Sequence, residues 1–119
     1  GKRCVKLAVS AAFHSKLMKP AADEFYENIK NTKFNMPDVD FYCNIDGEKL
    51  TSVSNMAEYL KNHIVSPVQF VTELENIKRD GATRFIECGP NKVLTGLVRK
   101  TLKDITFNNV ENQKTLEKL

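Results

Sequence analysis

Apolar positions recur along the chain in two rhythms. Met18, Ala22, Phe25 and Ile29 follow one another at spacings of four, three and four, one stripe of an amphipathic helix that fades near Asn31. Pro20 fits only the first turn of such a helix, where its missing N–H costs nothing. Met56, Tyr59, Leu60 and Ile64 predict a second helix capped by Ser54. Val71, Leu74 and Ile77 predict a third, opened by Ser66-Pro67-Val68-Gln69 as a capping box and closed by Lys78-Arg79-Asp80-Gly81. Val93, Leu94, Leu97 and Val98 predict a fourth, entered through the turn Gly89-Pro90-Asn91. Between these segments lie short apolar runs rich in β-branched and aromatic residues. Residues 4–9, Val39 to Cys43, Thr83 to Cys88 and Ile105 to Val110 read as strands, and residues 112–119 as a terminal helical turn or two. Asn44-Ile45-Asp46-Gly47 is a turn by composition.

Strands separated by helices argue for an α/β fold with a mainly parallel sheet flanked by helices. Three or four strands make a small sheet, and parallel sheets are normally covered on both faces. The chain is therefore expected to supply part of a larger sheet.

Composition narrows the class. With 119 residues, 41% hydrophobic, there is enough apolar material for one domain or a piece of one, too much for a disordered chain. No apolar run approaches the roughly 20 residues of a membrane helix, so no membrane role is expected. The net charge of +3 is spread along the length, without the block of basic residues that nucleic acid or a membrane surface would require. Cys4, Cys43 and Cys88 are odd in number and far apart, which favours buried thiols in a reducing cytoplasm over a disulfide framework. The N-terminus carries no pattern of a secretory signal.

Candidate chemistry is sparse. Ligands of open α/β sheets gather outside the carboxyl ends of the strands. Three junctions lie there: Phe13-His14-Ser15, Cys43-Asn44-Ile45 and Cys88-Gly89-Pro90-Asn91. His14 is the only histidine among them and suits general acid/base work, because imidazole titrates near neutral pH; the competing use is capping or packing. His63 sits late in a helix, where a cation would face the negative dipole end. Ser15 adjoins His14, and neighbouring residues point in different directions, so the two do not make a nucleophile and its base. Two histidines and three cysteines with no close pair match no zinc spacing, and no metal is expected.

Two stretches carry a more specific signal. Ala12-Phe13-His14-Ser15-Lys16-Leu17-Met18-Lys19-Pro20-Ala21 resembles the histidine motif of malonyl-CoA:acyl carrier protein transacylases, and Phe85-Ile86-Glu87-Cys88-Gly89-Pro90-Asn91-Lys92-Val93-Leu94-Thr95-Gly96-Leu97 resembles a second signature of that family. Between them, Asn62-His63-Ile64-Val65-Ser66-Pro67-Val68-Gln69-Phe70 is similar to its intervening segment, in the same order. The resemblance spans essentially the whole chain. It implies that residues 1–119 are the C-terminal portion of an acyltransferase domain, within an α/β-hydrolase-like large subdomain.

The family's chemistry is a ping-pong transfer of malonyl from malonyl-CoA to the phosphopantetheine thiol of acyl carrier protein, in fatty acid biosynthesis, through a serine ester. Its nucleophile stands in a Gly-His-Ser-x-Gly elbow, which these residues do not contain. The resemblance therefore implies that the 119 residues alone are inactive. By the same resemblance, His14 is the acid/base and the main-chain carbonyl of His63 orients it. Phe13, immediately before the histidine, is implied to select malonyl over methylmalonyl, since a phenyl ring leaves no room for an extra methyl. The partners implied are malonyl-CoA and acyl carrier protein, with no cofactor, and the isolated piece is expected to self-associate through uncovered apolar surface. Asn44 and Asn91 receive no role. The alternatives are an acyltransferase domain of a polyketide or multifunctional fatty acid synthase, and a non-catalytic interaction module.

Overall fold

The computed structural model of the chain describes Cys4 and residues 11–119. The strand expected over residues 4–9 lies outside the described residues, Cys4 excepted. The chain divides into two compact units, Gly1–Asp40 with Leu50–Val68, and Phe41–Lys49 with Gln69–Leu119.

The first unit is a helix pair. A 3₁₀ turn, Lys16–Met18, leads into α1, Lys19–Ile29, with Pro20 in the first turn as its missing N–H demands. Helix α2 is Met56–Val65. Ala22 of α1 is buried to 1% exposure, and its small side chain allows a close approach of α1 and α2. Asp23 fastens the pair from outside: one oxygen takes Lys19 at 2.6 Å, the other takes Lys61 of α2 at 3.1 Å. Lys61 also lies over the Tyr26 ring, 4.9 Å from its centre. The expected cap at Ser54 does not form. Asn55 precedes the helix without a side-chain cap, while the Ser54 and Ser52 hydroxyls meet each other at 3.0 Å.

The second unit is the α/β part. Helix α3, Phe70–Arg79, is followed by strand β1, Arg84–Cys88, helix α4, Val93–Thr101, strand β2, Thr106–Val110, and the short helix α5, Gln113–Leu116. The two strands pair in parallel, Arg84 against Thr106 through Cys88 against Val110. A parallel sheet flanked by helices is thus present, as the alternating pattern predicts. Its core is Leu74 of α3 with Val98 of α4 and Leu102, backed by Phe70, Phe85 and Ile105.

Serine and proline at residues 66–67 do not open α3, whose first residue is Phe70 and whose preceding Gln69 makes no side-chain cap. Ser66 instead ends α2 in an extended conformation, the backbone that a following proline imposes on its neighbour. The end of α3 follows the sequence closely. Gly81, at φ +106, lets its own N–H reach Lys78 at 3.0 Å and that of Ala82 reach Ile77 at 3.2 Å, a complete Schellman closure.

Val39 to Cys43 forms no strand. Within the second unit Tyr42 makes one antiparallel bridge to Lys49, and the chain turns sharply, Gly47 N–H to the Cys43 carbonyl at 2.7 Å and Cys43 N–H to the Glu48 carbonyl at 2.8 Å. The segment spends its hydrogen bonds on a local turn, and Val39 is 76% exposed. Of the three cysteines expected to be buried, only Cys43 is; Cys4 and Cys88 are exposed. Cys88 faces outward because alternate positions of β1 do so.

The turn from β1 to α4 is held by side chains. The Glu87 carboxylate accepts from the N–H groups of Leu94 (3.1 Å) and Thr95 (2.7 Å) and from the Thr95 hydroxyl (2.7 Å), serving as the cap that Lys92 does not provide. Those bonds hold its pKa below the usual 4.5, the Thr95 hydroxyl foremost. The Asn109 amide donates to the carbonyls of Asn91 (2.7 Å) and Gly89 (3.2 Å), clipping the turn to β2.

Candidate active site

His14 sits between the loop before α1 and the last turn of α2, and two constraints fix it. Its backbone is left-handed, φ +58, a conformation that costs a non-glycine residue about 1 kcal/mol. Ser15 sustains this bend: its hydroxyl donates to the Ala12 carbonyl at 2.7 Å and accepts from the Leu17 N–H at 3.3 Å. The second constraint comes from α2. The last carbonyls of a helix lack intrahelical partners, and His14 takes two of them. Its backbone N–H donates to the Ile64 carbonyl at 3.1 Å, and ring Nδ1 meets the His63 carbonyl at 3.2 Å.

A carbonyl oxygen only accepts, so Nδ1 must carry the hydrogen. In the neutral ring Nε2 then keeps its lone pair, the tautomer of a proton acceptor. The His14 residue is exposed, so the ring is not sealed in packing. The negative end of the α2 dipole, about half an elementary charge, faces the same ring.

The His63 side chain forms a wall beside it. The two imidazoles lie 5.1 Å apart at 48°, and the Tyr59 ring lies nearly parallel to His63 at 6.3 Å. His63 is half-buried, and its Nε2 is buried without a hydrogen-bond partner among the described residues. Burial, with the charge of His14 adding to it, pushes its pKa below 6.5. A charge on His63 is therefore disfavoured, contrary to the helix-end cation that its position suggests.

Phe13 is 58% exposed, so it is not a core residue of the described chain. Asn44 and Asn91 belong to the second unit. The Asn44 carbonyl accepts from Gln69 N–H at 2.7 Å; Asn91 is left-handed, φ +71, and its N–H donates to Glu111 at 3.2 Å. Ile64 takes part through its backbone alone, and Glu87 and Asn109 act across turns, contributions that carry no sequence motif. Among the described residues no three His, Cys, Asp or Glu side chains gather as metal ligands, and no helix is long and apolar enough to cross a membrane.

Comparison with known proteins identifies the family. The acyl transferase domain family matches residues 2–118. The malonyl CoA-acyl carrier protein transacylase of Bacillus subtilis is 36% identical over 116 residues, covering 98% of this chain and 37% of that protein. A polyunsaturated fatty acid synthase polypeptide of a Thraustochytrium species is 39% identical over 106 residues, 87% of this chain and 4% of that protein. The crystal structure of the transacylase from Clostridium perfringens superimposes with a TM-score of 0.90 at 36% identity, over 96% of this chain and 36% of that one. The chain thus spans well under half the length of these relatives. On sequence and fold together, it belongs to the acyl transferase domain family.

Proposed function

We propose that this chain supplies the proton-transferring histidine of a malonyl-CoA:acyl carrier protein transacylase. The observation that carries the reading is the bond from His14 Nδ1 to the His63 carbonyl, which leaves Nε2 basic and the residue exposed. In the first half-reaction Nε2 removes the hydroxyl proton of the nucleophilic serine as its oxygen bonds to the thioester carbon. The C–S bond then breaks, and the proton on Nε2 passes to the departing CoA sulfur. In the second half Nε2 takes the proton of the carrier's phosphopantetheine thiol, sulfur attacks the serine ester, the C–O bond breaks, and the serine oxygen recovers the proton. The serine and its oxyanion donors come from outside the 119 residues, which contain no Gly-His-Ser sequence. These residues alone are therefore inactive in transfer. His14 takes its orientation from a neutral carbonyl, where Ser-His-Asp triads use a carboxylate.

Phe13 supports malonyl as the group carried. It precedes the histidine and keeps its ring exposed, available to lie against the α-carbon of a bound acyl group. The test is direct: incubate the complete polypeptide carrying this chain with malonyl-CoA and phosphopantetheinylated carrier protein, and weigh the carrier. A gain of one malonyl group is expected; an unmodified carrier overturns the reading. The similarity to a fatty acid synthase polypeptide favours a second setting for the same chemistry, an acyltransferase domain inside a multifunctional chain. The mass of the native polypeptide separates the two.

A further inference from the structure

Helices α2 and α3 are both ten residues long, and they end in opposite ways. In α3 the carbonyls third and second from the end, Ile77 and Lys78, are closed by the helix's own continuation, the N–H groups of Ala82 and Gly81. The equivalent carbonyls of α2 belong to His63 and Ile64. They are the two that His14 uses, through Nδ1 and through its backbone N–H.

The difference traces to residue 67. In α2 the position corresponding to Gly81 is Pro67, which has no N–H. Ile64 is thereby denied the donor that Gly81 gives Lys78. The carbonyl of His63, four residues before Pro67, is denied its ordinary helical donor as well. Only the Ser66 N–H reaches it from within the chain's own turn, at a long 3.4 Å. Pro67 also forces Ser66 to extended geometry, φ −102 and ψ 148, so the chain leaves the helix before it can fold back over its end.

We propose that Pro67 is a positioning residue for the acyl-transfer reaction: by withholding an N–H it keeps the His63 and Ile64 carbonyls open as the seat of His14. The inference rests on the role given to His14 above. It assigns to a proline the task of preventing a helix from capping itself. The left-handed backbone of His14 needs such a seat, because its two bonds to α2 offset the strain at that residue.

The test replaces Pro67 in the complete polypeptide. Pro67→Gly supplies both the missing N–H and the freedom for positive φ, the combination that closes α3 at Gly81. The His63 and Ile64 carbonyls then gain competing donors, and His14 loses its fixed tautomer part of the time. Two readouts are expected to move together: kcat falls about tenfold with KM within about twofold, and nitrogen-15 NMR of His14 shows mixed tautomers where the parent shows one, protonated at Nδ1. Should Pro67→Gly fail to fold, Pro67→Ala, which restores the N–H alone, is expected to move both readouts in the same direction. Parent kcat together with an unmixed Nδ1–H tautomer in the folded variant overturns the proposal. His14→Ala is the control for the underlying reading: if that variant keeps its activity, the acyl-transfer role of His14 falls, and the tautomer measurement alone then decides whether Pro67 seats the ring.

Discussion

Nδ1 of His14 donates to the main-chain oxygen of His63 across 3.2 Å, while the rings of the same two residues stand 5.1 Å apart. One residue thus contributes to the site twice. Its carbonyl fixes which nitrogen of His14 carries the hydrogen, and its side chain forms the wall beside the ring. Only the first contribution survives every substitution, since a carbonyl is present whatever the side chain.

His63→Gln is therefore expected to leave kcat within about threefold of the parent. Stability against pH behaves differently. The folded-state pKa of His63 lies below 6.5, so the unfolded chain binds the proton more readily. The stability gained by keeping the ring neutral is complete above pH 6.5 and is lost as pH falls through the folded-state value. Melting curves from neutral pH down to about pH 5 are expected to show a fall in Tm that His63→Gln reduces. An equal slope in both proteins contradicts the burial argument.

Phe13 gives a prediction about size. Shortening it to serine removes the ring proposed to crowd the acyl α-carbon, and methylmalonyl transfer is expected to gain about 10- to 200-fold relative to malonyl. Competition between the two thioesters, read by the mass of the loaded carrier, checks it. An unchanged ratio with transfer intact removes Phe13 from the specificity pocket.

At the start of α4 the negative charge of Glu87 is the useful feature, because three donors converge on it. Glu87→Gln is expected to lower Tm near neutral pH. Since the folded-state pKa is held below 4.5, the carboxylate's contribution is full above that value and disappears as pH falls through the lower, folded-state one. The Tm difference between parent and variant should shrink under strongly acid conditions; a difference independent of pH contradicts the charge argument.

Gly47 tests the turn in the second unit. It holds φ +75, and an added Cβ would stand 2.7 Å from the Glu73 nitrogen and 2.9 Å from the Thr72 Cβ. Its carbonyl also accepts from the buried Asn76 amide at 2.9 Å. Gly47→Ala is expected to destabilise by about 2–4 kcal/mol, measured by urea denaturation. A loss below about 1 kcal/mol would mean that the turn relaxes freely.

The contrast between Gly81 and Pro67 shows how far the sequence could be read. The helical stripes and the strands over 84–88 and 106–110 were legible because apolar residues recur at helical spacing in the first and β-branched and aromatic residues cluster in the second. In the α4 stripe, however, Val93, Leu94 and Leu97, read as inward-facing, are exposed, and only Val98 is buried. The stop after α3 was legible because a glycine behind two cations has one common use. Serine followed by proline has two. It begins helices and it ends them, and the choice depended on where α2 ran out of partners. Val39 to Cys43 has the residues of a strand, but its hydrogen bonds close a local turn instead. Within the site, the sequence marked His14 and, by resemblance, the position of His63. The left-handed backbone at residue 14, the Ile64 carbonyl and the carboxylate cap of Glu87 had no signature, because each depends on atoms brought together by folding.

Nε2 of His14 is proposed to move the protons of acyl transfer. The most direct measurement is kcat for malonyl transfer from malonyl-CoA to the carrier thiol by the complete polypeptide carrying His14→Ala. A loss of about 100- to 10,000-fold with KM little changed is expected. A folded variant that retains more than about a tenth of the parent rate would contradict it.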